Sequence, residues 1–200
     1  MFFSFAFFPL NFRNYGIIIL IPNHKMYISK KIEVNCMEPS IEKMDIKLVG
    51  VQKVIKHEPG YDFGEDLEET WKKVLAKVDD IKHLNENNRA IGFWHWVNKL
   101  TKVYFAGVQV DSLEDFEWDR DYGLCSWDLG IVTFAIFKEK NGEEGTIASS
   151  PKAHKLLNKM GYRYDGRFIG DFEVYPLEWI KQNDIPEDGF HEVWLPVKKK

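Results

Sequence analysis

Cysteine is scarce in this chain of 200 residues: Cys36 and Cys125 are the only two, and they form no C-x-x-C pair. That excludes a disulfide framework and favours a reducing compartment, so a cytoplasmic location is expected. Structural zinc is excluded on the same ground. The six histidines are scattered, with no H-E-x-x-H or other ligand spacing, so neither a metal nor a cofactor is expected. No apolar run approaches the ~20 residues that a membrane helix requires. Basic character is also lacking: net charge is −4, and the only basic run is the terminal Lys198-Lys199-Lys200. Direct binding of nucleic acid rests on clustered Lys and Arg and is therefore not expected. The sequence has no nucleophile elbow and no phosphate-binding loop.

Aromatic residues, by contrast, are abundant. They make up 15% of the chain, with 15 Phe, 8 Tyr and 7 Trp, enough to fill a core and still line a pocket for a flat apolar ligand. Residues 1–36 differ from the rest. Two short apolar runs, Phe2–Phe8 and Ile17–Ile21, are separated by Pro9, Asn11, Arg13 and Asn14, with no basic start for a signal peptide. Residues 1–36 are read as an extension outside the fold, open to disorder, and 37–200 as the folded domain. Met26, Met37 and Met44 are possible internal starts.

From residue 46 onward, strand and helix patterns alternate. Residues 46–56 read as a strand ending at Pro59-Gly60. Leu67, Trp71, Val74, Val78 and Ile81 recur at spacings of three and four, predicting an amphipathic helix over about 65–83. Strands follow at 90–97 and 102–110. The order then repeats: a strand at 131–138, a helix opened by Ser150-Pro151 and closed at Met160-Gly161, and strands at 167–175 and 191–197. Arg89-Ala90-Ile91-Gly92 aligns with Arg167-Phe168-Ile169-Gly170 at an offset of 78. The expected architecture is α+β: duplicated strand-helix-strand-strand modules, about 46–111 and 123–198, related by a pseudo-twofold axis. Their antiparallel sheets would form a shared concave groove, and the acidic segment 111–123 would join the modules as a surface loop.

Side chains alternate across a strand with a period of two. Asp171, Glu173 and Tyr175 therefore share one face, and Phe172 and Val174 the other, with the apolar pair expected against a helix. Glu173 would then point into the groove, with His95 as its counterpart in the first module and Phe93 beside it. Trp94 and Trp96 would pack under the helix. Tyr104, Trp127, Tyr61 and Trp194 are further pocket candidates. A carboxylate among aromatic rings suits a lipophilic cation: the cation neutralises the buried anion, and each good ring face adds about 0.5–2 kcal/mol. The competing structural reading pairs Glu173 with Arg163, Arg167 or a lysine.

The segments GDFEVYP (170–176), HEVWLPVKK (191–199) and YFAGVQVD (104–111), with Trp71 in EETWKKV, resemble the GyrI-like small-molecule-binding family. Its members serve as effector-binding domains of AraC- and MerR-type regulators, or stand alone as integron-associated drug-binding proteins. The resemblance spans about 46–198 and implies a two-module α+β fold with a central aromatic pocket. It also implies a pocket glutamate that recognises lipophilic cations, at the position of Glu173, with Tyr175 adjacent. Residues 1–45 show no pattern for a helix-turn-helix, so a standalone binder for sensing or sequestration is expected. Where the family's second helix ends in a tryptophan-proline element, this chain has Leu156-Leu157-Asn158-Lys159-Met160. The resemblance also implies two alternatives. One is a hydrolase of reactive cyclopropane-containing compounds, with Glu173 assisting water attack. The other is a protein inhibitor of the gyrase-inhibitor type, with acidic residues such as Asp115, Glu117 and Asp119 facing a protein partner.

Overall fold

The computed structural model describes residues 38–56, 63–98, 101–117, 123–141, 150–168, 170–186 and 188–200. The proposed extension 1–36, Tyr61 and Asp119 lie outside these residues. The elements in chain order are β1 (Ser40–Lys56), α1 (Gly64–Leu75), β2 (Arg89–Asn98), β3 (Thr101–Val110), β4 (Leu124–Lys140), α2 (Pro151–Lys159), β5 (Tyr162–Tyr164), β6 (Phe172–Pro176), α3 (Leu177–Gln182) and β7 (Phe190–Lys199). All strand pairings are antiparallel, giving the expected α+β class.

The strand order is β4-β1-β3-β2-β6-β7-β5, and β4 pairs with β7 as well. Strand β4 is long enough to serve two partners. Its Leu124–Ile136 stretch pairs with β1, and Phe134–Lys140 pairs with β7. Six strands thus form a closed circuit, with β5 attached outside it on β7. In the run IVTFAIF of β4, Val132, Phe134 and Ile136 pack on one face while Ala135 and Phe137 pack on the other. Burial on both faces explains why this segment reads as continuous apolar sequence and not as an alternating pattern.

The inner face of the circuit is filled by Ile46, Leu48, Ile91, Phe93, Phe105, Phe134, Phe172, Val174 and Trp194. The helices cover the outer face. Leu67 and Val74 of α1 pack on Val51, Ile55, Tyr104 and Ala106, and Ala153 and Leu157 of α2 pack on Phe137, Val193 and Leu195. The start of α2 follows the expected chemistry: Ser150 Oγ accepts the Ala153 N–H at 3.2 Å, and Pro151 opens the helix. Gly161 beyond its end takes φ +82°.

Several expectations are corrected. The first helix ends at Leu75, and Val78–Asp80 form a separate 3₁₀ turn that still carries Val78 into the core. The strand expected at 167–175 begins only at Phe172. Before it, buried Asp165 holds a turn: its Oδ2 accepts Arg167 Nε at 2.9 Å and Nη2 at 2.6 Å, and its carbonyl accepts the Phe168 N–H at 3.1 Å. The partner of Gly92 is accordingly Glu173, so the offset of 78 does not align equivalent strand positions. The expected groove on the helix-free faces is filled apart from one small recess. Pairing of β1 with β4 and of β2 with β6 folds those faces onto one another, and Phe172 and Val174 pack there instead of against a helix.

Candidate functional site

Glu173 lies mid-strand in β6, opposite Gly92 of β2 and Val193 of β7. Directly opposed residues share a face, so Glu173 belongs to the outer, helix-bearing face. Beside it the floor is built of small residues: Ala90 opposite Tyr175, Gly92 opposite Glu173, and Ala106 opposite Gly92. Above this floor stand large rings. Trp71 of α1 donates its indole N–H to Tyr104 Oη at 3.0 Å, and Trp94 lies 4.9 Å from Tyr104 between ring centroids. Phe63 meets Trp94 edge-on at 5.7 Å, and the Lys102 ammonium sits 5.3 Å above the Trp94 ring. Glycine is required at position 92, because a Cβ there would come within 2.7 Å of Tyr104 Oη.

On the other flank, Tyr175 stacks on His191 at 4.8 Å, with the rings 14° apart. The tautomer of that histidine follows from its partners. Asn141 Nδ2 donates to the Pro186 carbonyl at 2.7 Å, which turns Asn141 Oδ1 toward His191 Nδ1 at 2.9 Å. An amide oxygen only accepts, so Nδ1 carries the proton and Nε2 is the free acceptor. Burial lowers the His191 pKa to about 4, leaving the ring neutral at physiological pH.

Glu173 is mostly covered, and its carboxyl is strongly desolvated. Desolvation, together with the nearby negative groups Asp171 and Glu139, raises its pKa to about 8. Among the described residues no basic side chain pairs with it. Burial, and then the Glu173 carboxyl, likewise push the hydroxyls of Tyr104 and Tyr175 well above the ordinary tyrosine range. Glu173 is thus a desolvated carboxyl near aromatic side chains, with no basic partner among the described residues.

The sequence candidates divide between two faces. Glu173, Tyr175, Asp171 and Tyr104 gather on the outer face. Phe93, His95 and Trp127 gather on the inner face, around a recess of about 110 Å³. His95 is therefore not a counterpart of Glu173 in one groove, because Phe93 and His95 alternate with Gly92 along β2. Trp194 is fully buried in the inner core, where its indole N–H donates to Glu192 Oε2 at 2.8 Å. Trp94 packs beside α1 as expected, but it does so on the face of Glu173. Trp71, Gly92, Glu139 and His191 were not foreseen as site residues. Trp71 reads in the sequence as part of a helix stripe and of the EETWKKV segment, not as a site residue, and the other three depend on long-range pairing. Of the acidic segment, Asp115 and Glu117 are exposed, and Asp115 Oδ2 lies 3.8 Å from His83 Nε2.

No protein-family model matches the chain, and no curated protein sequence matches it. Solved structures do match. SAV2435 bound to tetraphenylphosphonium superposes with a TM-score of 0.51 at 16% identity, covering 81% of this chain and 94% of that one. The EcmrR C-terminal domain superposes with a TM-score of 0.54 at 14% identity, covering 82% of this chain and 98% of its own. The chain shares their fold. That fold agrees with the GyrI-like effector-binding domain that the sequence resembles. Among the described residues no helix is long and apolar enough to cross a membrane, and no group of three His, Cys, Asp or Glu is placed to hold a metal.

Proposed function

We propose that this protein is a cytoplasmic effector-binding protein that takes a lipophilic organic cation beside Glu173, for sensing or sequestration. The observation that carries the reading is a desolvated carboxyl among aromatic rings with no basic partner among the described residues. A bare buried anion is costly, and a hydrophobic cation removes that cost while Trp71, Trp94, Tyr104 and Tyr175 supply apolar area and ring faces. The shared fold with a protein solved with tetraphenylphosphonium supports the choice of ligand class.

The strand pairings support the duplicated architecture. Strands β1-β3-β2 flanking α1 and β4-β7-β6 flanking α2 follow one plan, and β1–β4 and β2–β6 join like to like. Glu173 and its partner Gly92 fall on that second junction, between the two helices. A ligand there would be shared by both modules.

The test is a titration of wild type and Glu173→Gln with tetraphenylphosphonium at pH 8.5, followed by tryptophan fluorescence. The variant is expected to bind about tenfold to a hundredfold more weakly, the loss of one buried charge contact. Equal binding by both proteins would remove Glu173 from the site. Mass spectrometry of the recovered ligand separates the readings: an unchanged compound fits a binder, and consumption by wild type alone fits the hydrolase.

A further inference from the structure

Phe93, His95 and Trp127 are left unused by the cation reading, and they line the recess on the inner face together with Leu129, Phe168 and Phe172. Its walls come from three separate parts of the chain, namely β2, β4 and the turn leading into β6. Phe93 lies against Phe172 at 4.7 Å, and Trp127 presents its edge to Phe93 at 5.5 Å and to His95 at 5.8 Å. Beyond His95 on the same face, through Val103, lies Val54, which is 62% exposed.

The lining also sets the charge preference. It contains no acidic residue, and its one basic residue, Arg167, is already held by Asp165 through Nε and Nη2. A cation finds no partner of opposite charge in this lining, and the Arg167 guanidinium is engaged by Asp165 and 69% exposed, so its pull on an anion is screened by solvent. The His95 imidazole is the polar group available for a hydroxyl. A volume of about 110 Å³ is somewhat below the ~150 Å³ of an engineered apolar cavity that takes up benzene. His95, Trp127, Leu129 and Phe168 are each partly exposed, so the recess communicates with solvent.

The geometry points to a second ligand site here: a receptor for a single uncharged aromatic ring carrying a hydroxyl, on the opposite side of the sheet from Glu173. The site does not depend on the cation reading, because the two recesses share no lining residue and are read by different tryptophans.

The experiment uses the full chain with phenol as the probe, following the indole N–H signals of Trp127 and Trp71 by NMR after assignment with single Trp→Phe variants. Phenol is expected to shift Trp127 saturably and to leave Trp71 unmoved. Glu173→Gln should bind phenol unchanged. Leu129→Trp, which fills the recess, should weaken binding by about tenfold or more, and Phe168→Ala, which removes a wall without adding bulk, by about threefold. Benzyltrimethylammonium and benzoate should bind at Trp127 at least about tenfold more weakly than phenol. The inference is overturned if Trp127 shows no saturable shift, if Glu173→Gln abolishes it, or if the charged rings bind there as well as phenol. Failure of tetraphenylphosphonium to perturb Trp71 would count against the cation reading alone.

Discussion

Replacing Glu173 by Gln should stabilise the protein, and by an amount that depends on pH in a defined way. The carboxyl has an ordinary pKa of 4.5 and is raised to about 8 in the fold, chiefly by desolvation. Between those values the unfolded chain has lost the proton while the folded chain keeps it. Stability therefore falls as pH rises through that window, at 1.36 kcal/mol per pH unit. The accumulated cost is about 3 kcal/mol near pH 7 and about 5 kcal/mol above pH 8, and it vanishes below pH 4.5. Glutamine has the same shape and never ionises, so its stability lacks this loss. For a chain of this size 1 kcal/mol moves Tm by about 2–4 °C, so the variant should melt some 10–20 °C above wild type at pH 9. The gap should close by pH 4.5. The assay is paired thermal melts across pH 4.5–9, reading the difference so that other titrating groups cancel. A constant gap between pH 5 and 9 would refute the claim that the fold holds this carboxyl protonated. Adding tetraphenylphosphonium should narrow the gap at high pH, because the cation offsets the same charge.

Three further outcomes are expected. Tetraphenylphosphonium affinity should rise about tenfold per pH unit up to about pH 8 and then level off, with close to one proton released per cation at pH 6–7. Calorimetry in buffers of different ionisation enthalpy reads that proton directly, and a flat profile contradicts the linkage. Gly92→Ala should cost about 1–3 kcal/mol in urea unfolding, because the added Cβ meets Tyr104 Oη at 2.7 Å. The Trp71 indole signal should move with it, since its acceptor is displaced, and an unmoved signal would place the strain elsewhere. Asp165 is held to a pKa of about 2 by Arg167, so its stabilisation is present above about pH 4 and lost as pH falls toward 2. Asp165→Asn should be less stable than wild type at neutral pH and should lack that acid-side loss, as followed by acid titration of circular dichroism.

Local chemistry made much of the architecture legible. The spacing of Leu67, Trp71, Val74 and Val78 marked the buried stripe of α1 and the turn after it, and Ser150-Pro151 with Gly161 marked both ends of α2. The short α3 escaped because six residues, LEWIKQ, carry little periodic signal and its start is set by Pro176. Strands β1 and β4 proved longer than expected, beginning at Ser40 and Leu124, because their early halves mix charged residues with apolar ones. A strand of that length is set by its partner, and partner identity is not a local property. His191 became legible beside Tyr175 only through the pairing of β7 with β4 and β6.

Alternation correctly separated Glu173 from Phe172 and Val174, but it could not say which face of the sheet was closed. An isolated three-stranded sheet has only one buried side, which would place the apolar pair under a helix. Closure of six strands changes that. The inner face becomes the drier of the two, and it takes the largest rings: Phe105, Phe134 and Trp194 are fully buried there. A carboxyl could not remain beside them without a partner except at a cost of several kcal/mol. The outer face is covered by α1 over β1 and β3, by α2 over β4 and β7, and by Leu177 of α3 with Val78 over Ala90 and Val108. The junction strands β2 and β6 meet at the seam of those coverings, where Ala90, Gly92 and Ala106 let the rings of Tyr104 and Trp71 settle close to the sheet beside Glu173. An acidic residue desolvated enough to keep its proton near neutrality, and accessible enough to exchange that proton for a cation, finds both conditions at that junction. The position of Glu173 thus follows from how the sheet closes, and the pH-dependent melts test the desolvation on which that argument depends.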